Sequence, residues 1–252
     1  MHIKFLGSVV ILFILATGQL FAQGIGKTAF KIGERLDFSI EFEFIPGGTA
    51  TMSVEGISEV DGFMCLKLTA TARSSSKVDL IYKVRDRIES YRDFTTGFSR
   101  KFIKDTREGK HKEDKRVFFK PEKDEIIVHH NVDDPPEIQQ FGEGLQDILG
   151  AFYQVRNEEL VVGRSVWIDV QDVGKRYRLE VEVQGYERVE VPAGTFDCVI
   201  VEPLLKSSGI FRKEGSLQIW LTNDGTKMPV LMKSKLPFGA VYGKLTSFSL
   251  GN

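Results

Sequence analysis

One helical stripe, set in a chain otherwise written in strand periodicity, constrains the fold more than any other feature. Within residues 143–156 (EGLQDILGAFYQVR) apolar side chains fall at Leu145, Ile148, Leu149 and Phe152, the i, i+3, i+4, i+7 spacing of one helix face. Asp147, Ala151 and Gln154 fall on the other side. Elsewhere the apolar period is two. Residues 35–45 put Leu36, Phe38, Ile40, Phe42 and Phe44 on one face and Asp37, Ser39, Glu41 and Glu43 on the other, the pattern of a half-buried strand. A lone amphipathic helix among such strands can bury its stripe only on the concave side or mouth of a sheet. The expected fold is therefore all-β in the main: a strongly curved antiparallel sheet or open β-barrel with one α-helix packed on the concave side. The helix separates two β halves, 30–141 and 160–250.

Turn chemistry marks the strand ends. Pro46-Gly47-Gly48 reads as the first turn, and Asp61-Gly62 has the signature of a two-residue hairpin. Thr96-Gly97, Glu108-Gly109 and residues 121–124 punctuate strands at 98–106, 112–119 and 125–130. Asp133-Asp134-Pro135-Pro136 reads as a rigid loop delivering the chain to the helix. Gly174-Lys175, Pro192-Ala193-Gly194, Ser207-Ser208-Gly209, Asn223-Asp224-Gly225 and Pro237-Phe238-Gly239 divide the second half. One internal echo runs from Val54-Glu55-Gly56 to Cys65 and again from Val183-Gln184-Gly185 to Cys198, each as strand, break, strand, Gly turn, strand. Two related halves, or coincidence in turn-rich β sequence, would both produce it. Between Arg100 and Arg116 eight Lys or Arg residues stand among four acids. That density suits a lysine-blunted edge hairpin, or else a patch for anionic headgroups or glycans.

The amino terminus carries His2 and Lys4, an apolar run over 5–16, and Leu20 and Ala22 at the minus-three and minus-one positions of a cleavage site. That is the form of a secretory signal peptide spanning 1–22, and it leaves 23–252 as a single β-rich domain. The run is too short for a membrane span, and no other stretch approaches the roughly 20 apolar residues a span needs. No cysteine follows the cut, so the expected product is periplasmic and not a lipoprotein. A formal net charge of −1 argues against a general binder of nucleic acid or of anionic surfaces. Cys65 and Cys198 each sit inside an apolar strand and are expected to be free thiols, although an exported chain could keep a disulfide.

Chemistry-bearing motifs are few. Gly26-Lys27-Thr28 lacks the first glycine of a phosphate loop, and Ser74 with Lys77 lacks the companions of a penicillin-recognising nucleophile. His129 and His130 are adjacent, so on a strand they point to opposite faces and cannot readily share a metal. No metal or cofactor is assigned. The remaining enzymatic option is a carboxylate pair of the glycosidase kind, with Asp147, Glu187 and Asp224 as the acids to inspect. Their structural alternatives are a helix N-terminal charge, a strand surface and a turn.

Three segments together resemble an exported bacterial family, domain of unknown function 3108. They are Leu145-Gln146-Asp147 with Tyr153 and Arg156, Val191-Pro192-Ala193-Gly194-Thr195-Phe196 preceded by Glu187, and Ile219-Trp220-Leu221 with Asp224, Pro229 and Val230. Gly33-Glu34 with Leu36, and Tyr82-Lys83-Val84-Arg85-Asp86 with Glu89-Ser90, are similar to that family too. The resemblance implies a mostly β exported protein. It supplies no established activity, so no catalytic residue is carried over.

The expected function is a non-catalytic cell-envelope protein binding a lipid or other apolar or amphiphilic ligand, or an envelope protein, against the helix-covered sheet. Phe38, Phe42, Phe44, Leu145, Ile148, Leu149, Phe152 and Phe238 are the candidate ligand-binding residues. Hydrolysis of envelope glycans by a carboxylate pair, and a purely structural or interaction role, are the alternatives.

Overall fold

The computed structural model describes residues 28–131, 133–142, 144–204 and 216–251. The expected signal peptide and the expected turn at Ser207-Ser208-Gly209 lie outside them. The first half carries β1 (Glu34–Phe42), β2 (Ile45–Val60), β3 (Phe63–Ser74), a short helix α1 (Ser76–Asp79), β4 (Arg85–Asp93), β5 (Ser99–Glu108), β6 (His111–Lys120), β7 (Glu125–His129) and β8 (Glu137–Gln140). After α2 (Ile148–Val155) come β9 (Ser165–Asp172), β10 (Lys175–Val191), β11 (Gly194–Leu204), β12 (Leu217–Thr222), β13 (Pro229–Leu236) and β14 (Gly239–Leu250). All fourteen strands form one antiparallel sheet in the order β8-β7-β6-β5-β4-β3-β2-β1-β14-β13-β12-β11-β10-β9. First and last strands pair at its middle, Glu34 opposite Leu250 and Phe42 opposite Val241. The free edges, β8 and β9, are the strands on either side of α2.

The sheet curls around that helix. Leu36 and Phe38 of β1, Val54 of β2, Leu68 of β3, Trp220 of β12 and Leu245 of β14 share one core with Leu149 and Tyr153 of α2. Strands far apart in the sheet order can meet on one helix only if the sheet rolls up. A second core sets Ala151 and Val155 of α2 against Val170, Val181, Val201 and Leu221. A third gathers Phe102, Val117, Phe119, Ile126 and Val128 under Leu145.

The helix is shorter than its stripe implies. Leu145 and Gln146 are extended, and the Gln146 backbone bridges β9 through Gln146 N to Asp169 O (2.9 Å) and Gln171 N to Gln146 O (2.9 Å). Leu145 therefore leaves the helix face and packs under β5–β7 instead. Ala151, expected to face away, is fully buried, because both sides of α2 are covered. Tyr153 of the helix is fully buried, whereas Phe152 is only partly buried.

Other expectations shift for local reasons. The first turn lies at Glu43-Phe44, not at Pro46-Gly47-Gly48, which belongs to β2. Glu43 takes a left-handed φ of 52° and is pinned to β14: its N–H donates to Ala240 O (2.8 Å) and its carboxylate accepts from Ala240 N (2.7 Å). Asp133-Asp134-Pro135-Pro136 leads first into the short edge strand β8, not straight to the helix. The basic β5–β6 hairpin is not an edge, since β7 and β8 lie beyond it. Two of its lysines are spent on an acid of the same hairpin, Lys104 and Lys115 on Glu113 (2.9 and 2.7 Å). The echo is structural: β2–β3 and β10–β11 each change register at the glycine, at Val54/Gly56 and Val183/Gly185. Cys65 and Cys198 occupy matching places beyond those bulges, buried as free thiols, each directed at the carbonyl two residues earlier.

Charged ladders run over the strands, and they set the acid response. Lys67 bridges Glu55 and Glu89 across β2, β3 and β4. Burial pushes the Glu55 and Glu89 carboxyls up, but hydrogen bonds from Lys67 to Glu55 and from Tyr91 to Glu89 outweigh it and hold both low. The hydrogen bond from Lys115 is the main reason Glu113 titrates at about 2, down from 4.5. Folded values below unfolded ones mean stability that is present above the unfolded pKa and lost as the folded group protonates. Urea unfolding should therefore give a plateau from neutrality down to about pH 5 and a steady fall from there toward about pH 2. A Glu113→Gln variant should show a shallower fall over that window.

Candidate functional site

Both ends of α2 are fixed by buried polar groups, and these hold the walls of the candidate site. At the N-terminus Asp147 is the cap, accepting from Leu149 N (2.9 Å) and Gly150 N (2.8 Å). The same carboxylate accepts from the hydroxyls of Ser90 on β4 and Ser99 on β5, each at 2.6 Å, and the Asp147 N–H donates back to Ser99 Oγ (2.8 Å). Burial raises the Asp147 pKa, and the four donors only partly offset it. Gly150 must lack a side chain, since a Cβ there would meet Gln146 Oε1 at 2.7 Å and Ser99 Oγ at 2.8 Å.

At the other end Arg156 is fully buried and forks onto Glu34 of β1, Nη1 to Oε1 at 2.6 Å and Nη2 to Oε2 at 2.7 Å. Its Nη2 also donates to Thr226 O (3.0 Å) in the β12–β13 connection. Tyr153 packs edge-on against Phe30, with ring centroids 4.8 Å apart. Burial and the nearby Glu34 push its phenol well above the usual range.

Between these anchors lies a partly open cavity of about 220 Å³. Ile148, Phe152 and Val155 of α2 form one wall; Leu179, Val181, Val201, Pro203, Leu217, Ile219 and Leu221 of β10–β12 form the other. Every lining side chain is apolar. Of the sequence-derived ligand residues, Ile148 and Phe152 line this cavity. Leu149 and Phe38 are in the core beside it, and Leu145 is in the core under β5–β7. Phe42, Phe44 and Phe238 lie at exposed hairpin tips instead. Sequence reading missed the β10–β12 wall because alternating Val, Leu and Ile look the same over a cavity as over a packed core.

Each of the three candidate acids is engaged in structural hydrogen bonds. Asp147 is buried and saturated. Glu187 accepts from Trp220 Nε1 (2.7 Å), and Asp224 holds its own turn through Thr222 Oγ1 (2.8 Å) and the Thr226 N–H (2.8 Å). Both charges bear on Cys198, whose thiol burial and then Asp197, Asp224 and Glu187 push up to about 12. That thiol is no nucleophile at neutral pH. Among the described residues no group of three or more His, Cys, Asp or Glu side chains is placed to hold a metal ion.

The family model for proteins of unknown function, DUF3108, matches residues 37–246. The chain belongs to this family. Among solved structures it is similar to a β-barrel-like protein of domain of unknown function DUF1849 from Brucella abortus, with a TM-score of 0.58 at 8% identity over 87% of this chain and 98% of that one. That likeness is one of fold. Looser matches are a candidate lipoprotein from Parabacteroides distasonis (TM-score 0.38, 13% identity, 88% and 98% covered) and a candidate exported protein with a YmcC-like fold from Bacteroides fragilis (0.35, 10%, 87% and 97%). No curated protein matches the chain. The residues that carry the DUF3108 resemblance include these bonded positions: Glu34, Ser90, Gln146, Asp147, Tyr153, Arg156, Glu187, Trp220 and Asp224.

Substitutions at both ends of the helix probe the anchors. Glu34→Ala should cost about 3–5 kcal/mol in urea unfolding by stranding the Arg156 charge, and Glu34→Leu with Arg156→Met should recover most of that loss. Asp147→Asn keeps an acceptor for the helix N–H groups and removes a buried charge. It should unfold within about 1 kcal/mol of wild type, whereas Asp147→Ala should lose about 2 kcal/mol or more.

Proposed function

We propose that this DUF3108 protein is an exported, non-catalytic envelope protein that holds an apolar or amphiphilic ligand between α2 and β10–β12. The observation that carries the reading is the cavity of about 220 Å³ whose lining has no polar side chain. An engineered dry cavity of roughly 150 Å³ already admits a benzene-sized molecule, so this one suits a short hydrocarbon segment with its polar end outside. A closed void of that size left empty would cost on the order of 5 kcal/mol, an upper bound for a partly open one and still a large share of a domain's stability. A ligand-bound state removes that cost.

The leader at residues 1–22 supports export to the periplasm, with residues 23–252 as the mature β-rich chain. No helix among the described residues is long and apolar enough to cross a membrane. The glycan-hydrolase alternative draws no support from the carboxylates, because Asp147, Glu187 and Asp224 are each engaged in separate structural bonds.

Protein purified from the envelope fraction should release a lipid or other apolar compound into organic solvent, detected by mass spectrometry. Leu217→Trp fills the open part of the cavity and should abolish that recovery while leaving the melting temperature within a few degrees. Phe152→Ala should lose ligand with a stability loss below the roughly 3–5 kcal/mol of a fully packed Phe. Nothing extracted from wild type, together with a loss in that full range for Phe152→Ala, would sink the proposal.

A further inference from the structure

Among the described residues, the four most exposed large hydrophobic side chains are gathered at one end of the rolled sheet. Phe42 pairs with Ile45 and with Val241, and Leu236 pairs with Gly239, so the β1–β2 and β13–β14 hairpin tips lie side by side. Gly48 pairs with Ser74, and Ser75 N donates to Gly47 O (2.8 Å), which places the α1–β4 connection next along the same rim. The β5–β6 tip follows, since Gly109 N donates to Lys83 O (2.8 Å). From these neighbouring tips project Phe44 (87% exposed), Leu80 (88%), Ile81 (91%) and Phe238 (79%). Side chains this apolar, standing on three neighbouring turns, form a contiguous fringe rather than scattered surface residues.

Charge on the fringe leans to one sign. Lys77, Lys83, Lys110 and Lys235 are exposed and, among the described residues, form no ion pair. Of the acids between them, Glu43 accepts from the Ala240 N–H (2.7 Å), Asp79 is held by Arg85 and Ser74, and Asp86 accepts from the Arg107 N–H (3.0 Å), which leaves Glu108 beside Asp86 against four lysines. Asp133 and Asp134 lie on the β7–β8 connection, at the far end of the sheet order. The cavity lining runs to the same rim, because Leu217 pairs with Ser234, two residues before the Leu236–Gly239 turn.

We infer that this rim docks the protein on an anionic phospholipid bilayer, with Phe44, Ile81 and Phe238 entering the headgroup–acyl boundary and the free lysines meeting lipid phosphates. The inference deepens the ligand-carrier reading and rests on it for its purpose, since docking would set the cavity mouth against the membrane.

Co-sedimentation with vesicles of phosphatidylethanolamine and phosphatidylglycerol, against vesicles of phosphatidylcholine alone, tests it. Wild type should pellet with the anionic vesicles and dissociate in high salt. A Phe44→Ser, Ile81→Ser, Phe238→Ser variant should bind roughly ten-fold more weakly with an unchanged melting temperature, because none of the three is buried. A Lys77→Glu, Lys83→Glu, Lys235→Glu variant should lose the preference for the anionic vesicles. Wild type that stays in the supernatant, or serine-variant binding equal to wild type, overturns the inference. So does a dimer that the serine variant abolishes in the absence of vesicle binding, which would give the rim to a second copy of the chain. Solvent extraction of the same samples separates the two readings: vesicle binding without a recovered ligand leaves docking and removes the carrier, and ligand without vesicle binding does the reverse.

Discussion

The buried ion pair between Glu34 and Arg156 is the contact on which the rest of the architecture depends. Two charges removed from water carry a desolvation penalty of several kcal/mol each, and only near-ideal geometry offsets it. Here the fork is bidentate and a backbone carbonyl takes a further guanidinium proton. The pair joins the first strand to the end of α2, 122 residues later in the chain. Since β1 also pairs β14, one interaction ties the helix to the middle of the sheet, where both chain halves meet.

With Asp147 clamped to Ser90 and Ser99 at its other end, α2 cannot slide. Apolar packing alone is non-directional, and a helix held only by it would settle into the β10–β12 wall until the gap closed. Directional bonds at both termini prevent that. The cavity is thus a consequence of the polar frame: two turns of helix are suspended at fixed height, and the side chains of Ile148, Phe152 and Val155 are too short to reach the far wall everywhere. The bridge from Gln146 to β9 serves the same end, by closing part of the seam between the two free sheet edges.

Much of this architecture was legible in the chain. Period-two alternation and Asp-Gly or Asn-Asp-Gly turns located most strands, and the lone stripe at 143–156 located the helix. The misreadings share a cause, which is that long-range partners decided local structure. Glu43 rather than Pro46-Gly47-Gly48 makes the first turn because Ala240 of a strand nearly two hundred residues away holds it. Leu145 fits the helical stripe by spacing, yet Asp147 caps the helix after it and a β9 neighbour captures Gln146 in extended form. The cavity was half legible: Phe152 and Ile148 could be named from the helix face. The aliphatic wall opposite could not, because whether a Val faces another side chain or a gap depends on register and helix height.

The split between frame and lining also bears on what membership of DUF3108 means physically. Several residues that carry the resemblance are occupied by internal bonds: Trp220 with Glu187, Asp224 with its own turn, and Arg156 with Glu34, the last of which ties the end of the helix to the sheet. The lining is built from Val, Leu, Ile, Phe and Pro, which exchange for one another at small cost as long as volume is kept. A shared frame with an exchangeable lining lets cavity length and mouth shape vary while the fold stays the same. Ligand choice would then follow from the size of a few aliphatic side chains on β10–β12, a property that no motif in the sequence encodes.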